Sequence, residues 1–201
     1  PDVRQVPLEI TLHGFDNNHA HARLLSMSKH AYNACCKFAP ERPCVVFTPS
    51  RKQTQLSAID FVTFCASSAQ PLRFLLPAHK QALEAAAEKV QEAALSQTLA
   101  KGVGYVHHEM LQSDRLVVER LYQQGALSVL LCPFSFCWQL PGPCHATIVM
   151  DTVYYDGREL RFADYAMADL LQMAGCACRP NSDERGRCII LCHTPKKEFL
   201  K

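Results

Sequence analysis

Apolar and polar positions alternate from Pro7 to Phe15, placing Leu8, Ile10 and Leu12 on one face of an opening strand. Asn17 or Asn18 offers a side-chain cap for a helix reaching about Phe38. Leu24, Leu25, Met27 and Tyr32 form its irregular apolar side, and Pro40 and Pro43 stop it. The run Cys44 to Thr48 is continuously apolar up to its last residue, the pattern of a parallel strand buried on both faces. Ser50 then caps a helix whose inner side is expected to be Leu56, Ile59, Val62 and Phe64. The stretch from His79 to Ala100, rich in Ala, Glu, Gln and Lys, reads as one exposed helix. Gly102 to His107 is a short strand, and Ser113 caps a helix carrying Leu116, Val117, Leu121 and Tyr122 that Gly125 closes. Leu127 to Leu131 and Ala146 to Met150 are two more buried strands. Tyr154 to Gly157 turns a hairpin through its Asp-Gly. Asp164 to Ala174 is a helix, Cys188 to Cys192 a last strand, and Lys196 to Lys201 the start of another helix.

Strands alternating with helices predict a doubly wound α/β sheet, mainly parallel, with helices on both faces. Ligand-binding loops of such sheets lie beyond the C-terminal ends of the strands. That rule places Pro49 to Lys52, His107-His108, Cys132 to Trp138 and the turn Gln172 to Arg179 together on one rim. No repeat, low-complexity segment or linker divides the chain, so residues 1–201 form one domain.

Composition narrows the function. With 201 residues, 48% hydrophobic, the chain can bury a full core, and its net charge of +2 argues against a wholly cationic nucleic-acid clamp. No apolar run approaches the roughly 18 residues that a membrane helix needs. Pro1-Asp2-Val3-Arg4 has neither signal-peptide character nor an initiator Met and reads as a cut from a longer chain. Eleven cysteines cannot all pair, and free thiols in a reducing compartment are the expectation. Only 8 glycines are present, and neither Gly-x-x-x-x-Gly-Lys-Ser/Thr nor Gly-x-Gly-x-x-Gly occurs. A self-sufficient P-loop nucleotidase or Rossmann dehydrogenase is thereby disfavoured.

Four segments, in order and spacing, resemble the second RecA-like lobe of the Ski-type superfamily-two helicases. Val45 to Lys52 looks like motif IV, Gly102 to Leu121 like motif IVa and its helix, Leu131 to Asp151 like the motif V region, and Leu171 to Pro180 like motif VI. The likeness covers nearly the whole chain from about residue 43. Asp151 to Gly157 and Asp169 to Met173 bring it nearest to the C-terminal cassette of the two-cassette spliceosomal members. The resemblance implies a nuclear protein that, as a whole, uses ATP to unwind paired U4/U6 small nuclear RNA, with spliceosomal proteins and the other domains of its own chain as partners. It also accounts for the missing P-loop, because the first lobe of such helicases carries the phosphate loop and the magnesium-binding acid. ATP and Mg would belong to the complete cassette, and this lobe by itself would hold no cofactor.

Departures from the family pattern carry as much as the matches. Motif VI of active members reads Gln-x-x-Gly-Arg-x-Gly-Arg; here Gln172, Gly175 and Arg179 remain, while Cys176 and Cys178 replace an arginine and a glycine. Cysteine brings no positive charge and is a weak donor. In the motif V region Trp138 is kept, but Gln139 and Pro141 stand in place of Gly and Asn, and Pro133 and Pro141 remove backbone donors. Glu109 puts a carboxylate where a glycine is frequent in motif IVa. The expectation is a cassette without hydrolysis that acts as a regulatory and interaction platform. Two alternatives stay open: an active helicase lobe with divergent motifs, from the signal-cointegrator or DNA-repair branch, and a module that never meets nucleotide.

The individual residues carry two readings each. Gln172, Gly175 and Arg179 are the nucleotide-contact candidates, against a turn cap for Gln172 and an ion pair with Asp183 or Glu184 for Arg179. Ser50, Arg51 and Lys52 are candidates for RNA or phosphate contact at a helix N-terminus, against a solvated helix start, and His107 at a strand end is a further candidate for that contact. Trp138 is either a base-stacking platform or a packing anchor. Cys176, Cys178, Cys188, Cys192 and His193 cluster in sequence but lack a Cys-x-x-Cys knuckle, so no metal site is assigned. A cysteine nucleophile working with His107, His108 or His145 has no local support in the sequence.

Overall fold

The structure, a computed structural model, describes residues 4–200; the readings made on Pro1 to Val3 and at Lys201 lie outside it. In chain order the elements are β1 (Leu8–Phe15), α1 (Ala20–Cys35), β2 (Cys44–Thr48), α2 (Arg51–Ser67), α3 (Lys80–Ala87), α4 (Ala93–Leu99), β3 (Val103–Tyr105), α5 (Gln112–Gln123), β4 (Val129–Pro133), β5 (Ala146–Met150), β6 (Val153–Asp156), β7 (Arg161–Asp164), α6 (Met167–Gly175), β8 (Gly186–His193) and α7 (Thr194–Phe199). Six strands make one parallel sheet in the order β1-β8-β5-β2-β4-β3, and β6 and β7 form a separate antiparallel hairpin. At the sheet centre Val46 pairs with both Leu131 and Ile148. Every residue of β2, β4 and β5 is buried, as strands covered by helices on both faces must be. The α/β, RecA-like expectation is met.

Local details depart from the periodicity in informative ways. α1 starts at Ala20 after His19, which makes no side-chain cap; Asn17 instead accepts the His19 N–H at 3.0 Å in a turn one step earlier. Leu25 on this helix is 58% exposed, and the buried side carries Arg23, Met27, Ala31 and Tyr32. Arg23 is fixed by Asp151, whose Oδ2 accepts from Nε at 3.0 Å and from Nη2 at 2.9 Å. Its Nη1 also donates to the Asn17 carbonyl at 2.9 Å. An ion pair with both partners this buried joins α1 to the end of β5.

Ser50 does cap α2, accepting the Gln53 N–H at 3.2 Å. The helix is rotated from the expected phase. Its buried side is Gln53, Thr54, Ser57, Ala58, Phe61 and Cys65, while Leu56 and Ile59 are exposed. Buried hydroxyls are tolerated there because each finds a partner. Thr54 and Thr48 share a 2.6 Å hydrogen bond, and the Gln53 amide donates to Ser57 at 3.0 Å.

The stretch from His79 to Ala100 is not one exposed helix. It divides into a 3₁₀ turn at Pro77–His79, then α3 and α4, with Leu83, Leu95 and Leu99 fully buried. The break is held from outside the segment. Buried Asp114 accepts the Gln91 N–H at 3.1 Å and the Glu92 N–H at 3.2 Å, serving the orphan donors at the start of α4. The Ser113 expectation fails: α5 begins at Gln112, and no side chain caps it. Gly125 follows α5 with φ +72°, the left-handed closure expected of it. Smaller shifts remain: β4 runs from Val129 to Pro133, two residues later than read, and α7 starts at Thr194, two residues earlier. β3 stops at Tyr105, α6 starts at Met167 because Asp164 belongs to β7, and β8 runs longer than the apolar core from Cys188 to Cys192.

Candidate functional site: three separate surfaces

The predicted rim residues do not share one surface. Ser50, Arg51, His107, Glu109 and Pro133 line a shallow pocket of about 290 Å³ beyond the C-terminal ends of β2, β3 and β4. Trp138, Gln172, Gly175, Cys176 and Cys178 line a different groove of about 320 Å³. Arg179 sits at a third place, by the opposite ends of the strands. The reason is the direction of α6. It runs back along β5, so the turn that follows it reaches the strand beginnings, where the Cys144 N–H donates to the Cys176 carbonyl at 3.2 Å.

On the rim, the groups proposed for phosphate are already engaged. Ser50 spends its hydroxyl oxygen on the α2 cap, and Arg51 is ion-paired with Glu109. Lys52 is exposed on the first turn of α2, outside the pocket. His107 stacks on Tyr105 with ring centroids 6.3 Å apart, and burial lowers its pKa, so it is neutral at neutral pH. His108 packs against Phe136, and neither histidine meets a cysteine thiol in a nucleophile geometry.

In the groove, the motif VI-like turn is turned inward. The Gln172 amide donates to the Cys137 carbonyl at 3.2 Å, and the Cys176 thiol donates to the Gln172 carbonyl at 3.3 Å. Burial pushes the Cys176 thiol up to about 11, so it is protonated at neutral pH. From the far side, Arg4 donates to the carbonyls of Gly175 at 3.2 Å and Ala177 at 3.0 Å. Trp138 is 62% exposed, and its indole N–H donates to Asp169 at 3.0 Å, tying the motif V-like loop to α6. Gln139 and Pro141 lie in that loop. The Gln139 N–H donates to Phe136, and the Pro141 carbonyl accepts from Gln123 at 3.3 Å. Cys178 shares the groove, but Cys192 and His193 lie at the far end of β8. Among the described residues no group of three or more His, Cys, Asp or Glu could hold a metal.

At the third place, Arg179 faces Asp183 at 3.7 Å, and Asp183 faces His145 Nδ1 at 3.1 Å. Arg42 Nη1 lies 3.4 Å from His145 Nε2. An arginine can only donate, so Nε2 is the acceptor and the proton sits on Nδ1 toward Asp183. Burial lowers the His145 pKa against the pull of Asp183, in accord with this neutral tautomer. Sequence reasoning placed Asp183 beside Arg179 but missed His145 and Arg42, which only the fold brings there. The donor set does not fit a triphosphate. The one matching arginine is held by a buried carboxylate, and the other motif VI arginine position is a neutral thiol.

No family model matches the chain. The human U5 small nuclear ribonucleoprotein 200 kDa helicase is 44% identical over 201 residues, all of this chain and 9% of that protein. Its Drosophila melanogaster counterpart is 39% identical over the same span. The Danio rerio activating signal cointegrator 1 complex subunit 3 is 37% identical over 201 residues and is matched over 13% of its length. The chain is homologous, over its full length, to one segment of each of these proteins. It therefore spans about a tenth of the length of the curated relatives it matches. The likeness to spliceosomal Ski-type helicases drawn from four motif segments is the likeness the whole chain carries, and the RecA-like sheet is the fold of a helicase lobe.

Proposed function

We propose that this lobe belongs to the C-terminal cassette of a pre-mRNA-splicing ATP-dependent RNA helicase, that the cassette does not hydrolyse ATP, and that it works as a regulatory and protein-interaction platform in the nucleus. One observation carries the reading: the motif VI-like turn presents no free cation. Charge developing on a transferred phosphoryl group needs a guanidinium or equivalent in contact, a contribution of several powers of ten in rate. Here Cys176 is a protonated thiol bonded to main-chain carbonyls, and Arg179 is directed at Asp183.

A surface suited to partners supports the second half of the proposal. Half of the exposed large apolar side chains among the described residues are Trp138, Tyr155, Leu160, Phe162, Met167, Leu171 and Phe199. They belong to the β6–β7 hairpin, α6, α7 and the loop before β5. Concentrated exposure of that kind marks contact with other protein rather than with bulk water. The first RecA-like lobe and other domains of the parent chain, and spliceosomal proteins, are the proposed partners. U4/U6 small nuclear RNA would be reached through the full protein. ATP and Mg, where the complete cassette binds them, would be held by the first lobe.

Nucleotide binding and hydrolysis by the complete two-lobe cassette separate this reading from its alternatives. Binding without turnover agrees with it, and absence of binding would favour a module that never meets nucleotide. Turnover stimulated by RNA would instead favour an active lobe with divergent motifs.

A further inference from the structure

The segment that the periodicity reads as one exposed helix forms, with α5, a groove of about 360 Å³ that shares no lining residue with the two pockets above. Its floor on α3 is Ala82 and Ala85, side chains that end at Cβ and let another backbone come close. Across from them stand Leu116, 51% exposed, and half-buried Val117 on α5. Two cations line it, Lys89 and Arg120, both exposed. Two of the neighbouring carboxylates are engaged elsewhere, while Glu88, exposed beside Lys89, has no ion-pair partner among the described residues. Glu84 faces Lys80 at 3.9 Å and Glu119 faces Arg115 at 3.4 Å, and among the described residues neither Lys89 nor Arg120 has an ion-pair partner.

An apolar trough between two helices, rimmed by unpaired positive charge, is complementary to an amphipathic helix whose apolar stripe is flanked by acidic residues. We propose that the α3–α5 groove docks such an acidic amphipathic helix of a partner protein. Leu116 and the alanines take its apolar anchors, and Lys89 and Arg120 take its carboxylates. A nucleic acid is disfavoured because the trough offers apolar side chains and only two cations. The groove shares no residue with the nucleotide reading, so either proposal can fail without the other.

The test uses this chain and a fluorescein-labelled designed helix of roughly 18 residues, with leucines at spacings of three and four and glutamates flanking them. Anisotropy is expected to show saturable binding with a Kd on the order of 1–100 μM. Leu116→Asp and Arg120→Glu, both at the surface and checked for unchanged circular dichroism, should each weaken it about tenfold or more. A peptide with lysines in place of the glutamates should bind at least about tenfold more weakly. The proposal is overturned by a Kd above about 1 mM, by equal binding of the lysine peptide, or by indifference to both substitutions. It is also overturned if a single-stranded RNA displaces the peptide, or if the chain sediments as a dimer that Leu116→Asp dissociates. Those last results would give the groove to nucleic acid or to a second copy.

Discussion

Asp114 shows how much one carboxylate can organise in this fold. It is 2% exposed, and its oxygens accept from the backbone of Gln91 and Glu92, fixing the start of a helix more than twenty residues earlier in the chain. Removing it takes the acceptor from two part-buried backbone donors and leaves the start of α4 unheld. Asp114→Ala should therefore cost about 2–3 kcal/mol in urea unfolding, and Asp114→Asn, which keeps an acceptor, clearly less. Arg23 and Asp151 act at similar stakes, because a buried ion pair broken from one side leaves an uncompensated charge. Either residue replaced by alanine should cost about 3–5 kcal/mol, and the double replacement less than the sum of the two. His145 adds a pH dependence. Its folded-state pKa lies below the ordinary 6.5, so in the window beneath that value the unfolded chain binds more protons. Stability from this residue is complete above about pH 6.5 and is lost as pH falls toward the lowered value; His13 and His107 add in the same direction. Unfolding free energy measured from pH 8 down to pH 5 should fall, and His145→Gln should flatten part of the slope. None of these three interactions was readable from periodicity, since each joins residues far apart in sequence. The Ser50 cap was readable because a serine caps its own helix.

Elements were legible where burial follows an apolar pattern and obscured where polar groups are buried with partners. The central strands β2 and β5 read directly at their observed bounds, and β4 reads two residues early. α2 did not read directly, because Thr54 and Ser57 face inward to meet Thr48 and Gln53, pushing Leu56 and Ile59 out to solvent. The direction of α6 explains why the candidate site was only partly legible. Motif spacing nominates Gln172 and Arg179 as one site, but the helix carries its own C-terminal turn away from the rim. That turn then packs tightly on β8: a Cβ at Gly186 would stand 2.1 Å from the Ala177 carbonyl oxygen. Backbone against backbone leaves no flexible group to yield, so Gly186→Ala should destabilise by about 3 kcal/mol, readable as a lower thermal midpoint. Gly157, by contrast, has open space around its Cα, and Gly157→Ala should change that midpoint little.

Over the whole molecule, a well-packed RecA-like sheet coexists with motif positions that are structurally satisfied and chemically quiet. The rim arginine is neutralised by Glu109, the motif VI-like turn is closed by Cys137 and Arg4, and the matching arginine serves the Asp183–His145 pair. What remains outward-facing is apolar surface on the hairpin, α6 and α7. On the proposed reading, such a lobe would keep its fold and its contacts without contributing to phosphoryl transfer. The direct test is steady-state ATP hydrolysis by the complete two-lobe cassette, with and without RNA. Turnover well below about 1 s⁻¹ that RNA does not raise is the expected result; RNA-stimulated turnover of about 1 s⁻¹ or more would contradict the account.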